Sequence, residues 1–385
     1  MGNEIRHKRF FLQQFLLNKY FWLACIFLGL IVKAYFLPLK TGDYVVYLKP
    51  WIDFIKAHGY FSALQYDFSN YTPAYLYFLT LVAKIPVDPV FVIKIFSIFF
   101  EFLAAYFLGK IICLKYHNSL ILWISLAVIP WLPTVMLNSS YLSQCDAIYA
   151  SFVVGSIFYA LKNRQFLSVL LLGVAFAFKM QAVFVLPFFF VLLLRKEIKW
   201  YYFLIVPAVY VVSILPAWFF GRSFNELISL YFSQAGYYRL LTMNFPNIYI
   251  WFSGADFDTF SVAGILFTVL LTLTVGFWLR SPKITFTIET WIKFIFLSFI
   301  VIPFILPGMH ERYMYLADIF GLVYLMFFPK KWYLPLGILL VSTYSYIRCS
   351  RFNEVLPMQP AFFVYLLVIV LTFYDFVESL KSTEK

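Results

Sequence analysis

Four short segments of an otherwise apolar chain carry ionisable or amide side chains where an apolar run ends. They contain Asp43; Gln144 and Asp146; Lys179 and Gln181; and His310, Glu311 and Arg312. Carboxylates can act as general bases or metal ligands, and arginine, histidine and lysine can hold a phosphate. The four segments are therefore the candidates for a site that combines a base with phosphate binding.

Both candidate acids also have a structural interpretation. Asp43 follows the first long apolar run by a few residues, where a turn acid can simply be solvated by headgroup water. Asp146 lies where a new helix begins, and an acid there accepts bonds from backbone N–H groups and complements the helix dipole. One residue can serve as both helix cap and site residue, so the sequence leaves these alternatives open.

Lys179 interrupts a stretch, 175–187, that is otherwise apolar apart from Gln181. Burying an ammonium group in a bilayer costs at least about 2.5–3.5 kcal/mol, so the lysine needs a partner. A structural salt bridge with Glu101 or Asp318 is one alternative. Contact with a substrate phosphate is the other.

The run from His310 to Tyr313 places three ionisable groups between two apolar segments. It could be an ordinary polar turn, but arginine with histidine suits phosphate binding better than turning a chain. Asp318 lies seven residues after Glu311, on the same helical face, which should point into the bundle. By the same spacing, Lys94 and Glu101 should form a buried pair that fixes helix packing.

The composition identifies the chain as a membrane protein. Hydrophobic residues make up 63% of its 385 residues and charged residues 12%, with a mean hydropathy of +0.84. A spanning helix needs about 20 apolar residues. The fold class is therefore all-α, a polytopic helical bundle formed by one domain over residues 1–385, with no soluble domain. The predicted spans, about twelve, lie near 20–39, 89–109, 119–137, 146–161, 166–179, 181–194, 200–220, 261–279, 289–307, 312–328, 332–349 and 358–377.

The distribution of basic residues predicts the topology. The segment 1–19 is basic and precedes an apolar run without a cleavage signature, so it is a retained, cytoplasmic signal anchor. If the apolar piece 73–85 stays on the outer side, cytoplasmic segments hold 17 of the 30 Lys and Arg, and longer outer segments hold ten. The positive-inside rule favours that arrangement, with both termini cytoplasmic. Segments 40–88 and 221–260 are then large outer loops.

Local signals predict how the outer elements begin and end. Pro50 begins a short interfacial helix that Gly59 ends, and Tyr71-Thr72-Pro73 gives a rigid start to the next helix. A capping-box pattern from Ser223 to Glu226 begins a helix that continues to about Leu241, and Asn244 to Asn247 form a turn. The short apolar pieces 166–179 and 181–194 can form a hairpin with Lys179 at its tip.

Several function classes are excluded. The chain has no phosphate-binding loop, dinucleotide fingerprint or nucleophile elbow. Its four cysteines are scattered without paired spacing, so they predict neither a disulfide framework nor a zinc site. The net charge of +12 is spread over short loops, which fits topology and contact with anionic membrane lipid instead of nucleic-acid binding.

Five motifs carry a resemblance to a known superfamily. They read GDYVVYLKPWIDFI, NYTPAYLY, LSQCDAIYASF, FAFKMQAVFVLPFF and MHERYMYLAD. Together they resemble the GT-C superfamily of membrane glycosyltransferases, and within it the bacterial mannosyltransferase-like proteins related to the second GPI mannosyltransferase. The resemblance covers about residues 20–330.

The resemblance implies an inverting transfer of a hexose from a polyprenyl-phosphate donor to a lipid-linked or glycan acceptor, with mannose as the first candidate for the hexose. The reaction would take place on the outer face of a bacterial plasma membrane. Asp43 would be the general base and Asp146 a second acid. Lys179, His310 and Arg312 would hold the donor phosphate. The supporting residues would be Gln144, Gln181, Glu311, Tyr71 and Tyr313.

The sequence leaves a cofactor open. No cofactor is required by the motifs, and if a divalent metal takes part, Asp43 and Asp146 are its candidate ligands. Relatives carry Trp-Gly-Gln where this chain has Leu142-Ser143-Gln144, and often Asp where Glu311 stands, so the identity of the sugar is less defined than the class. A transporter or flippase of lipid-linked glycans, and a non-catalytic or polymerase-type assembly protein, are the alternatives.

Overall fold

The computed structural model describes residues 18–252, 254–351 and 356–381. Of these described residues 78% are helical, and almost none are in strands. The helices are α1 (Lys19–Phe36), α2 (Lys49–Ala57), α3 (Pro73–Lys84), α4 (Pro89–Tyr116), α5 (Leu120–Trp131), α6 (Pro133–Tyr141), α7 (Asp146–Leu161), α8 (Gln165–Phe178), α9 (Met180–Leu194), α10 (Trp200–Phe219), α11 (Phe224–Ala235), α12 (Phe257–Leu279), α13 (Ile288–Ile305), α14 (Tyr315–Phe327), α15 (Tyr333–Arg351) and α16 (Gln359–Lys381). Strands β1 (Thr242–Met243) and β2 (Met309–His310) form one short parallel pair.

Within the described part of the chain, six helices are long and apolar enough to cross a membrane: α1, α4, α10, α12, α13 and α16. A seventh span results if α5 and α6, which are bent by 60°, are counted together. Each of the twelve predicted ranges contains a helix, but the count of twelve spans is not confirmed. Helices α7, α8, α9 and α14 have at most 17 residues, or about 25 Å, against a hydrocarbon core of about 30 Å. The chain therefore has the architecture of an all-α, multi-pass membrane protein.

The core lies where the short and long helices pack together. Helix α7 buries 12 of its 16 residues between α4 and α8, and α13 buries 15 of its 18 against α14 and α16. By contrast, only two of the 18 residues of α1 and four of the 23 residues of α12 are buried, so apolar side chains cover their outer faces. Helices buried all round belong at a bundle centre, and helices with apolar outer faces belong against lipid.

The predicted helix starts in the first large loop are confirmed. Pro50 occupies the first turn of α2, and Gly59 follows its end with a φ of 76°, a left-handed conformation that favours glycine. Helix α3 begins at Pro73 after an extended Thr72. Its 12 residues are too few to span a bilayer, and the Tyr77 hydroxyl donates to the Ser213 carbonyl of α10 at 2.8 Å. That α3 lies in the interface stays a prediction.

The predicted helix 223–241 is shorter than expected. It ends at Ala235, and the Ser223 side chain makes no capping hydrogen bond. Glu226 instead lies 3.8 Å from the buried Arg222, which also pairs with Asp67 in the first loop. The prediction of a capping box is wrong because the buried Arg222 attracts the Glu226 carboxylate that the box requires.

The predicted pair of Lys94 with Glu101 is also wrong. Both residues are buried on one face of α4, as the spacing predicts, but Glu101 pairs with Lys33 of α1 at 2.9 Å. The Lys94 ammonium donates to the carbonyls of Phe36, the last residue of α1, and of Leu39, three residues further on, at 2.7 Å each. Carbonyls at a helix C-terminus lack intrahelical partners, so they compete with Glu101 for the Lys94 ammonium.

Candidate active site

One end of the bundle contains a cavity of about 1020 Å³, here called the main cavity. Nine of the ten predicted site residues line it: Asp43, Tyr71, Gln144, Lys179, Gln181, His310, Glu311, Arg312 and Tyr313. They come from segments up to 270 residues apart in the sequence. The tenth, Asp146, is fully buried behind the cavity wall. The predicted convergence of these segments is therefore present in the fold.

Asp146 joins two cations from different parts of the chain. Its carboxylate pairs with Lys179, lies 3.7 Å from the Arg312 guanidinium, and accepts a bond from the Asn138 amide at 2.7 Å. Cys145, not Asp146, is the N-cap of α7, and the Asp146 bonds in the described part of the chain are to side chains. The interpretation of Asp146 as a helix cap is therefore wrong.

Lys179 lies at the predicted hairpin tip, between α8 and α9, with an extended backbone. Its predicted partners, Glu101 and Asp318, are wrong. Asp146 begins α7, which packs beside α8, so it is the carboxylate nearest to the tip. The hydroxyl of Thr72 donates to the carbonyl of Phe178 at 3.1 Å. That bond ties the start of α3 to the residue before Lys179.

The loop from Gly308 to Tyr313 is held by the short strand pair. Met243 pairs with His310, and the Gly308 N–H donates to the Leu241 carbonyl at 2.8 Å. Gly308 has a φ of 72°, which a side chain would disfavour. Glu311 accepts a bond from Arg312 at 2.9 Å and lies 3.7 Å from the His310 ring. The loop therefore presents its three ionisable groups as one connected cluster.

Electrostatics fixes the charge states in that loop. Burial opposes ionisation of Glu311, but the Arg312 guanidinium and the His310 ring outweigh it and lower its pKa to about 2. Burial lowers the pKa of His310 below its ordinary 6.5, with Glu311 only partly opposing this effect. At neutral pH the loop therefore holds an ionised Glu311, a charged Arg312 and a neutral imidazole.

Asp43 differs from the other acids at the site. It is half-buried, lines the cavity, and accepts a bond at 2.5 Å from the Gln144 amide. The Gln144 backbone is fixed in turn by Asn138 and Ser97, at 2.9 Å each. No ion pair between described residues includes Asp43. It is thus a positioned carboxylate without an ion-pair partner among the described residues, and a carboxylate that lines a cavity can act as a general base.

The donor set gives little support to a metal. The described residues contain no group of three or more His, Cys, Asp or Glu that could hold an ion. Asp146 already pairs with Lys179, and Asp43 is bonded to Gln144. Among the described residues, Asp43 and Asp146 thus belong to no group of three His, Cys, Asp or Glu side chains that could hold a metal ion.

One arm of the main cavity is apolar. Its wall comprises Phe176, Tyr210, Val211, Ile228 and Ile265, from α8, α10, α11 and α12. Ile228 and Ile265 are each 45% exposed at the outer surface of the bundle. The apolar arm therefore leads from the charged cluster to exposed apolar side chains on the outer surface of the bundle.

Sequence reasoning missed Asn138, Tyr47 and Tyr238. Asn138 is buried and reaches Asp146, and the polar triplet Asn138-Ser139-Ser140 inside an apolar helix was the available signal. Tyr238 contacts the His310 ring and the Tyr47 hydroxyl, the latter at 3.1 Å, and so connects the segments 40–88 and 221–260. No local pattern marks either tyrosine, because contacts between distant loops have no sequence period.

No protein-family model, curated protein or solved structure matches this chain. The resemblance to the GT-C superfamily therefore stays a prediction. Any functional argument rests on the geometry of the main cavity.

Proposed function

We propose that the protein is a membrane glycosyltransferase that transfers a hexose from a polyprenyl-phosphate donor to a lipid-linked or glycan acceptor. Mannose is the first candidate for that hexose. The observation that carries the proposal is the composition of the main cavity. It combines a carboxylate without a cation, a cluster of cationic groups and an apolar arm open to lipid. A polyprenyl-phosphate sugar has the matching parts, which are a sugar, a phosphate and a long hydrocarbon.

The phosphate would be held by Lys179, Arg312 and His310. Asp146 and Glu311 pair with the two permanent cations, and Asp146 does so from outside the cavity. The carboxylates thus position the cations and offset their burial, which would otherwise be costly. A bound phosphate would accept their remaining N–H bonds and would favour protonation of the His310 ring.

Asp43 would take the acceptor proton. In the reaction, the acceptor oxygen forms a bond to the anomeric carbon while the bond from that carbon to the phosphate oxygen breaks. The proton moves to Asp43, and polyprenyl phosphate leaves as a stable anion, so no second proton donor is needed. The cationic cluster stabilises the charge that develops on that phosphate.

The geometry supports inversion at the anomeric carbon. A double displacement needs a second carboxylate that can attack the sugar. Asp146 is fully buried behind the cavity wall and paired with Lys179, so it is placed for support and not for attack. A single displacement with Asp43 as base gives inversion.

The proposed orientation places the cavity end outside the bacterial plasma membrane. In that orientation both termini are cytoplasmic and the short basic loops lie inside, as the positive-inside rule favours. The loops 40–88 and 221–260 then form the outer walls of the site. Modifying cysteines introduced at Lys84 and at Lys283 from each side of sealed vesicles tests this orientation, because the two positions should react from opposite sides.

Purified protein in lipid, incubated with a panel of polyprenyl-phosphate hexoses, tests the proposed function. We expect transfer, or slow hydrolysis when no acceptor is present, and release of polyprenyl phosphate. A nucleotide sugar serves as the control and should give no product. If no lipid-linked sugar reacts, while a fluorescent lipid-linked glycan crosses the bilayer, the transporter alternative is supported instead.

A further inference from the structure

The second half of α6, Met136–Tyr141, connects two buried ion pairs. Its backbone forms a wide π-type turn, in which N–H groups donate to carbonyls five residues back; such turns occur often at functional sites. Three consecutive polar residues of this segment, Asn138, Ser139 and Ser140, are fully buried. We call the segment Met136–Tyr141 the polar turn.

Two side chains of the polar turn contact the ion pair of Lys33 with Glu101. The Ser139 hydroxyl donates to the Glu101 carboxylate, and the Lys33 ammonium donates to the Ser140 hydroxyl at 3.4 Å. The Lys33 and Glu101 side chains are 1% and 0% exposed, and their charged groups lie 2.9 Å apart. Helices α1 and α4 therefore hold the polar turn through charged groups that are removed from solvent.

Asn138 connects the polar turn to both halves of the candidate active site. Its side-chain amide donates to Asp146 at 2.7 Å, and Asp146 pairs with Lys179. Its backbone carbonyl accepts a bond at 2.9 Å from the N–H of Gln144, and the Gln144 side chain donates to Asp43 at 2.5 Å. One residue therefore fixes both the acid that pairs with Lys179 and the amide that holds the proposed base.

Helix packing alone does not require the ion pair of Lys33 with Glu101. Apolar residues of similar volume often stabilise a core as well as a buried ion pair does, because removing charges from water is costly. Charged groups at fixed positions instead favour one arrangement of the backbone around them. A regular α-helical turn has fewer residues than a π-type turn, so it would point the three polar side chains in other directions.

We infer that the ion pair of Lys33 with Glu101, together with Ser139, positions the candidate active site from outside it. None of the three residues belongs to the described lining of the main cavity, so they act through the polar turn. They hold that turn in the arrangement in which Asn138 reaches both halves of the site. The connection is a property of the fold; that it serves sugar transfer rests on the proposed function.

A double-variant cycle for unfolding tests the connection without sugar transfer. Ser139→Ala removes a hydroxyl and keeps both charges of the ion pair, and Asp146→Asn removes the acid at the other end. If the polar turn connects them, their effects on the unfolding equilibrium constant in detergent should depart from additivity by about twofold or more. The control cycle combines Ser139→Ala with Asp375→Asn and should be additive, because Asp375 shares no described partner with the polar turn. Additivity in the first cycle, or equal coupling in both, overturns the inference.

The single-turnover rate tests whether the positioning serves the reaction. Ser139→Ala should lower the rate at saturating donor, per folded molecule, by about tenfold or more, because the base and the phosphate-binding cations are displaced together. Ser125→Ala is the matched control and should keep the wild-type rate. Ser125 is fully buried in α5, and its hydroxyl donates to the Ile121 carbonyl of the same helix at 2.9 Å. A purely structural role would lower the yield of folded Ser139→Ala and leave its rate unchanged, which overturns the inference.

A second variant covers a folding defect in Ser139→Ala. Ser140→Ala removes the longer contact with Lys33 and should lower the rate in the same direction by a smaller factor. An unchanged rate in every folded variant of the two overturns the inference. If the wild type transfers nothing, the proposed function fails, while the unfolding cycle still decides whether the polar turn connects the two ion pairs.

Discussion

Two buried clusters at opposite ends of the bundle have nearly the same composition. At the cavity end, Asp146 contacts Lys179 and Arg312. At the other end, Asp375 of α16 contacts Lys293, at 2.7 Å, and Lys331. Asp375 lies sixteen residues after Gln359, or about 24 Å along the helix. Each cluster is one carboxylate between two cations.

The surroundings of the two clusters differ. Lys179 and Arg312 line the main cavity, whereas Asp375, Lys293 and Lys331 do not belong to its described lining. Asp375 also accepts a bond at 2.5 Å from the Tyr324 hydroxyl, so protein groups occupy both of its oxygens. A buried ion pair by itself therefore indicates packing. Cations that also face a cavity indicate a site.

The largest expected effect is the loss of either central carboxylate. Asp146→Asn leaves Lys179 without its carboxylate, although Arg312 keeps Glu311, and Asp375→Asn leaves Lys293 and Lys331 without theirs. Breaking a buried pair in this way should destabilise each variant by about 3–5 kcal/mol. Unfolding in detergent, followed by circular dichroism, measures both variants. Only Asp146→Asn should also lose binding of polyprenyl phosphate, measured at a temperature where both variants are folded. Equal losses of binding would remove the distinction between the clusters.

Single cation variants separate the clusters through function. Lys179→Gln should weaken binding of polyprenyl phosphate by about 10–100-fold, because one charge-assisted hydrogen bond is lost. Lys293→Gln is the matched control and should leave that binding unchanged. Titration of each purified variant with the lipid measures the effect. Weakened binding in Lys293→Gln would show that the loss arises from general destabilisation.

Sequence reasoning found the cavity cluster because polar groups in apolar surroundings are costly and therefore conspicuous. It placed Asp43, Lys179 and His310 on one side of the bundle from charge distribution alone. It assigned the wrong partner to Lys179 because helical spacing identifies which residues share a face, and not which helices pack together. Asn138 was missed for the same reason, since its contact with Asp146 depends on the bend between α5 and α6.

The span count shows the same limit. Hydropathy located a helix in every predicted range, but periodicity does not show whether a 14-residue helix such as α8 crosses the bilayer or ends inside it. Helices that end inside a bundle leave unpaired backbone groups there, which a cavity or side chains must satisfy. Here Thr72 provides one such bond, at the end of α8. Helices α7, α8, α9 and α14 each have one terminus beside residues that line the main cavity. The short helices that leave the span count unconfirmed are therefore also the ones that position the site.

The pH dependence of the unfolding free energy should distinguish the two clusters by a smaller effect. Glu311 has an ordinary pKa of 4.5 and a folded pKa of about 2, so it contributes stability that is present above pH 4.5 and is lost as the pH falls towards 2. Glu311→Gln should remove that part of the acid sensitivity. Unfolding transitions of wild type and variant between pH 6 and 3 measure it. An unchanged pH dependence of unfolding in Glu311→Gln would contradict the assignment of this acid sensitivity to Glu311.

The smallest effect is expected at an exposed pair in the first loop. Lys49 lies 2.5 Å from Asp53, and both side chains are more than half exposed. Exposed pairs contribute little to stability. Lys49→Gln should therefore change neither the unfolding transition nor lipid phosphate binding. A clear loss of binding would show that the phosphate site extends beyond the residues named here.

The most direct measurement of the central claim is the single-turnover rate of sugar transfer by Asp43→Asn. The matched control is Asp53→Asn, an exposed acid of the same loop. Loss of a general base should reduce the rate by about 10²–10⁴-fold in Asp43→Asn, while Asp53→Asn retains the wild-type rate. A rate in Asp43→Asn within about twofold of the wild type, with donor binding intact, would contradict the claim that this cavity transfers sugar with Asp43 as its base.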